Sequence, residues 1–146
     1  MGRQDPVIEK INNYGITLGF QSEIPNKKDN QYFKFNSNCG YRPDVVWYLS
    51  ECDKKNRINP YCIFEVEWKE GTSTPAYKGL IGAICFSTMI NTKHFRFVCN
   101  NNKNLINAMK GRINTFKSHF NPNISMNVLV FSDDDLEELE QSLKIL

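Results

Sequence analysis

The 146-residue chain is predicted to be a single α/β domain, residues 1–146, with a mixed β-sheet flanked by helices. Short runs rich in β-branched and aromatic residues fill its first half, which predicts strands. Apolar residues at helical spacing alternate with short apolar runs in its second half, which predicts helices between strands. A hydrophobic content of 40% is enough for one core. Strands followed by helix–strand alternation are typical of a mixed sheet with helices on both faces.

The first half is predicted to begin with a helix. Asp5 and Pro6 suit the N-cap and the first helical position, and Gly15 is a typical helix end. The predicted strands then cover 16–24, 42–49 and 61–68, with a loop or hairpin over 25–41 and a polar connection over 51–60.

The second half is predicted to alternate. Gly111 punctuates one helical pattern, and Ser132 suits the N-cap of the last helix, whose first turn is acidic. The predicted helices cover 76–90, 105–116 and 133–146, and the predicted strands cover 95–99 and 126–131.

Composition excludes several classes of protein. The longest uncharged run, 79–92, is shorter than the ~20 residues of a membrane span. Residues 1–5 contain no apolar signal core, so we expect a soluble, cytoplasmic protein without a membrane partner. A net charge of +2 does not by itself indicate nucleic-acid binding, although acids concentrate over 133–140 and leave 54–120 basic.

The five cysteines argue against a zinc site because none forms a Cys-x-x-Cys pair. Cys62, Cys85 and Cys99 lie in apolar runs, where a free thiol behaves as a small core residue. Cys39 and Cys52 lie in loop-like segments and are the pair with which a disulfide is compatible.

Two stretches carry the candidate chemistry, Arg-Pro-Asp-Val-Val-Trp over 42–47 and Ile-Phe-Glu-Val-Glu-Trp-Lys over 63–69. Side chains alternate along a strand, so Glu65, Glu67 and Lys69 share one face. With Asp44 delivered by a neighbouring strand, these acids would form an oxygen site for Mg²⁺ or Mn²⁺. The alternative is an ordinary half-exposed strand with an acidic outer face.

Pro-Asp, then Glu-x-Glu on the following strand, then a crossover helix, resembles the PD-(D/E)XK nuclease superfamily, with a restriction-endonuclease-like fold. The resemblance implies metal-assisted phosphodiester hydrolysis, with Mg²⁺ as cofactor and Mn²⁺ as a substitute. It implies Asp44 as the shared metal ligand and Glu65 as the second acid. Glu67 stands where most members have Lys, so it would hold metal or act as base. In a second register, Glu67-Trp68-Lys69 is itself Glu-x-Lys.

Further candidates are weaker. Glu9 on the first helix and Glu23 on the strand after it are possible auxiliary acids, and Lys78 opens the predicted crossover helix. The more common explanation of each is a solvated surface charge. His94 and His119 have no ligand-like neighbours in the sequence, so we expect ordinary surface residues.

The resemblance leads to a Mg²⁺-dependent DNA endonuclease, with a homodimer expected because cutting both strands takes two sites. Two alternatives stay open. One is an inactive nuclease-fold module that binds DNA or a protein partner. The other is an α/β interaction domain without a metal site.

Overall fold

The structure is a computed structural model that describes residues 4–25, 43–67, 94–119 and 125–131. Its helices are α1 (Gln4–Thr17), α2 (Glu51–Asn56) and α3 (Lys103–His119). Its strands are β1 (Gln21–Glu23), β2 (Val45–Tyr48), β3 (Cys62–Glu67), β4 (His94–Asn100) and β5 (Ser125–Phe131). The helices predicted over 76–90 and 133–146, and the loop over 25–41 beyond Pro25, lie outside the described residues.

One five-stranded mixed sheet runs in the order β1-β2-β3-β4-β5. β1, β2 and β3 pair antiparallel, and β3, β4 and β5 pair parallel. The α/β class and the mixed sheet predicted from the sequence are thereby confirmed.

Each face of the sheet is covered by a helix, because apolar side chains alternate along the central strands. The face packed by α3 is called here the α3 face; its buried residues include Val46, Ile63, Phe95, Phe97, Leu105, Met109 and Ile113. The face packed by α1 is called the α1 face; its buried residues include Val7, Ile11, Val45, Trp47, Phe64 and Val98.

The end of α1 differs from the prediction. Gly15 lies inside the helix, and the strand predicted over 16–24 shrinks to Gln21–Glu23. Helix α1 ends at Thr17, and Gly19 just beyond it has a φ of 92°, which favours glycine. The N–H of Phe20 donates to the carbonyl of Gly15 (2.9 Å) and that of Gly19 to Ile16 (3.1 Å), which together form a Schellman cap.

Helix α2 lies within 51–60, where the sequence predicts a polar connection. Ser50 is its N-cap, and its hydroxyl accepts a hydrogen bond from the N–H of Asp53 at 3.1 Å. The Ser-x-x-Asp spacing is a capping signal. None of the residues of α2 is buried, so the helix has no apolar stripe for a periodicity argument to detect.

We expect Ser50→Ala to lower the free energy of unfolding by about 1 kcal/mol, because it leaves a first-turn N–H without its acceptor. Ser50→Asp, which keeps an acceptor and suits the helix dipole, should stay close to wild type. Urea unfolding of the three proteins measures this. Equal losses for both variants would mean that the side-chain acceptor is not what stabilises the helix, and no loss for Ser50→Ala would mean that the cap contributes nothing.

The placement of Cys62 and Cys99 agrees with the prediction, whereas Cys52 lies in helix α2 and not in a loop-like segment. Cys62 and Cys99 are free and buried, and Cys52 is free and exposed. Cys39 and Cys85 lie outside the described residues. None of the helices α1 to α3 has the length and apolar character needed to cross a bilayer.

Candidate metal centre

The carboxylate of Asp44 is fixed where β2 and β3 begin to pair. The N–H of Asp44 donates to the carbonyl of Phe64 (3.2 Å), and Asp44 Oδ2 accepts from the N–H of Val66 (2.8 Å). Pro43, which precedes it, is buried and has no N–H to satisfy. A side-chain oxygen thus accepts the hydrogen of a strand amide, and this bond holds the carboxylate against the main chain of β3 between Glu65 and Glu67.

Glu65 and Glu67 share a face of β3, as the alternation predicted. Ile63 lies on the α3 face and Phe64 on the α1 face, so the two acids follow Ile63 onto the α3 face. Glu65 is only 6% exposed, and Glu67 is half-buried. Keeping a carboxylate in such a place is costly unless hydrogen bonds or a counter-charge compensate for the lost water.

Cys99 of β4 lies opposite Glu67 in the parallel register. Burial, and to a smaller extent the charge of Glu67, raise the pKa of the Cys99 thiol to about 12. Burial also raises the pKa of Cys62, a shift that the charge of Arg96 partly opposes. Both thiols therefore stay protonated near neutral pH, so this part of the sheet presents hard oxygen donors and no thiolates.

The donor chemistry fits Mg²⁺ or Mn²⁺. Within the described ranges, no group of three or more His, Cys, Asp or Glu side chains is arranged to hold a metal ion. Mg²⁺ does not need such a cage, because it is commonly bound by one or two carboxylates together with water and substrate phosphate. Asp44, fixed on the main chain of β3, and Glu65, within that strand, are the residues that would hold it, with Glu67 as the further acid.

Asp44, Glu65 and Glu67, all of them described, do not themselves form a three-ligand group. The other predicted site residues lie elsewhere in the fold or outside the described residues. Glu9 is exposed on α1, which packs on the opposite face of the sheet. Glu23 on β1 forms an ion pair with Arg57 (Oε1 to Nε, 3.8 Å). Lys69 and Lys78 lie outside the described residues.

Arg96 in β4 is a buried charge that the sequence analysis missed. It is 6% exposed, and its Nη1 donates to the carbonyls of Phe95 (2.9 Å) and Ser125 (3.1 Å). Burial lowers the pKa of its guanidinium, and nearby Cys62 and Tyr61 act in the opposite sense. Its bond to Ser125 joins β4 to β5 near the start of both strands, away from Glu67. The sequence did contain a signal for a buried charge, because Arg96 is the one charged residue in the apolar run over 95–99.

His94 is half-buried and not an ordinary surface residue. Its Nδ1 lies 2.9 Å from the hydroxyl of Ser125, and its ring meets Tyr61 edge-on with centroids 4.8 Å apart. His119 is exposed at the end of α3, as predicted.

Comparison of the chain with protein-family models, with curated proteins and with solved structures gave no match in any of the three.

Proposed function

We propose that the chain is a divalent-metal-dependent DNA endonuclease of the PD-(D/E)XK type. The observation that carries the proposal is the hydrogen bond from the N–H of Val66 to Asp44 Oδ2 at 2.8 Å. It joins the Pro-Asp turn to the Glu-x-Glu strand, the two motifs on which the resemblance rests.

The order of the elements supports the proposal. A helix precedes an antiparallel unit of three strands, and Asp44 directly precedes the second of them. β3, which holds both glutamates, then pairs parallel with β4. Parallel neighbours need a crossover connection of a dozen or more residues, and 68–93 is long enough to supply it.

Each acid has a role in the proposed reaction. Bound Mg²⁺ would supply Lewis acidity toward the phosphate and activate water as the nucleophile. Asp44 and Glu65 would hold the ion. Glu67, on the same face as Glu65, would accept the proton of the attacking water in place of the family's Lys or serve as a further ligand. A homodimer of such sites would cut both strands of a duplex.

Nicking of supercoiled plasmid in Mg²⁺ and in Mn²⁺ tests the proposal. We expect Asp44→Asn and Glu65→Gln, both nearly isosteric, to lower the nicking rate by at least ~10²-fold, since each removes a charged ligand. Glu51→Gln, on the exposed surface of α2, is the matched control and should keep the wild-type rate.

Thermal unfolding with and without Mn²⁺ accompanies the kinetics, since an ion that binds the folded state raises the midpoint. A folded Asp44→Asn protein that has lost both nicking and the Mn²⁺ shift supports the assignment. Wild-type nicking by that variant would refute it.

A second candidate is a nuclease-fold module that binds DNA without cutting it. Two observations favour this candidate: Glu67 stands in the position of the family's Lys, and no three-ligand group is present among the described residues. Binding of duplex DNA by wild-type protein, with no nicking in either metal, would select this candidate. If the protein neither binds duplex DNA nor shows an Mn²⁺-dependent rise in its unfolding midpoint, the interaction domain without a metal site is the correct alternative.

A further inference from the structure

Helix α3 carries only positive formal charges. Its 17 residues include no Asp or Glu. Three of its lysines recur every seven residues, namely Lys103, Lys110 and Lys117. Seven residues turn the helix by about 20° less than two full turns, so the three side chains leave it in nearly the same direction. They therefore form a row along one side of the helix, with neighbours roughly 10.5 Å apart and about 21 Å from end to end. These three residues are called here the lysine stripe.

The charges of the lysine stripe are not compensated within the structure that is described. No carboxylate of those ranges lies within ion-pairing distance of any of its three ammonium groups. Lys103 and Lys110 are exposed, and Lys117 is half-buried. Helix α2 differs, since Glu51 and Asp53 accompany its lysines.

A groove of about 480 Å³ runs between α3 and β5, which is the last strand of the described sheet. Two of the stripe's lysines line it together with two asparagines and an apolar floor, namely Lys110, Lys117, Asn114, Asn127, Ile113, Met126 and Val128. Ammonium and amide groups are donors to the phosphates and sugars of nucleic acids. The groove opens beside β5. In the sheet order β5 lies two positions from β3, which places the two strands roughly 9–10 Å apart.

We propose that the lysine stripe and this groove form a second surface of the protein, which binds the phosphate backbone of duplex DNA apart from the carboxylates of β3. The stripe spreads three positive charges over about 21 Å, and a duplex carries one phosphate charge per ~1.7 Å of its axis, so phosphates are dense enough for each lysine to contact one. Such contacts hold and orient a duplex without reading its sequence. The choice of DNA as the ligand rests on the proposed function; the surface itself does not depend on cleavage.

Binding of a fluorescently labelled duplex, followed by anisotropy in EDTA to prevent cleavage, tests the surface. Each phosphate neutralised contributes about 0.9 to the slope of log K against log salt, so three lysines contribute about 2.7. Between about 50 and about 200 mM salt, wild type should lose about 40-fold more affinity than the triple variant Lys103→Gln, Lys110→Gln, Lys117→Gln.

The matched control is Lys10→Gln, Lys54→Gln, Lys55→Gln, which changes the net charge by the same amount on α1 and α2. It should keep the wild-type slope, and both triple variants should keep the wild-type circular dichroism. An unchanged slope in the α3 variant, equal reductions in both variants, or no binding by wild type would each overturn the proposal.

The same measurement separates this inference from the nuclease. Asp44→Asn should bind the duplex with the wild-type slope while failing to nick. If DNA binding depends on salt and on the lysine stripe but no cleavage occurs, the proposed DNA-binding surface is supported and the proposed nuclease activity is rejected. If the protein cleaves DNA but the salt slope of binding does not change when the lysine stripe is substituted, the nuclease is supported and the surface is rejected.

Discussion

If the chain is the proposed nuclease, replacing Glu67 by alanine is expected to lower the nicking rate by ~10²–10⁴-fold, which is the usual cost of losing a general base. Glu67 shares the α3 face with Glu65, and Val66 between them holds Asp44 through its N–H. Glu67→Lys should retain part of the activity, because it restores the Glu-x-Lys pattern typical of the superfamily. Single-turnover nicking rates at saturating Mg²⁺ compare the variants with wild type.

Lys69→Ala and Glu65→Ala decide which register is correct. If the motif is Glu65-Val66-Glu67, Glu65→Ala is severe and Lys69→Ala is mild. If it is Glu67-Trp68-Lys69, the order of the two reverses. The burial of Glu65, at 6% exposed, and the Asp44 bond to the adjacent Val66 favour the first register. Near-wild-type rates for all four variants would exclude β3 from the active site.

Gly15→Ala is expected to destabilise the protein by about 1–3 kcal/mol, the usual cost of overpacking a core. A Cβ at Gly15 would lie 2.7 Å from Cδ1 and Cε2 of the Trp47 indole. The indole cannot easily move away, since it stacks on Phe20 (centroids 4.9 Å apart) and its Nε1 donates to the carbonyl of Ile11 at 3.3 Å.

Gly111→Ala is the matched control. Gly111 also lies inside a helix, but a Cβ there meets no atom within 4 Å. Alanine should therefore stabilise α3 by roughly 0.5–1 kcal/mol through helix propensity and reduced unfolded-state entropy. Denaturant unfolding measures both variants. If the contact with Trp47 is the cause, Trp47→Phe should reduce the cost of Gly15→Ala in a double-mutant cycle. Equal effects of the two glycine substitutions would contradict this explanation.

Strands β4 and β5 and helix α3 could be predicted because their signals are local. Alternation and helical spacing placed β4 over 95–99 against His94–Asn100, and β5 over 126–131 against Ser125–Phe131. The role of Gly15 inside α1 could not be predicted from local signals. Glycine is a usual helix end, and the indole that requires it here belongs to Trp47, which comes from a different element. Pairwise contacts between distant residues leave no periodic trace in a sequence.

The candidate site could also be predicted only as far as local signals reach. Alternation alone puts Glu65 and Glu67 on one face of β3. Which face of the sheet that is, and how close Asp44 lies, depends on the pairing of β2 with β3, in which Val45 faces Phe64. Arg96 was missed because a charge within an apolar strand can be buried only when partners such as the Ser125 carbonyl come from elsewhere.

The amide proton of Val66 is a natural spectroscopic reporter of the candidate site. Its acceptor is a carboxylate, whereas the amide of Asp44 donates to a peptide carbonyl. A charged acceptor makes a stronger hydrogen bond than a neutral one, so any event that protonates Asp44 or draws its electrons toward a cation weakens that bond. The Val66 resonance, and the rate at which its proton exchanges with solvent, would then change in intact protein that cuts nothing. Occupancy of the site is thereby separable from turnover.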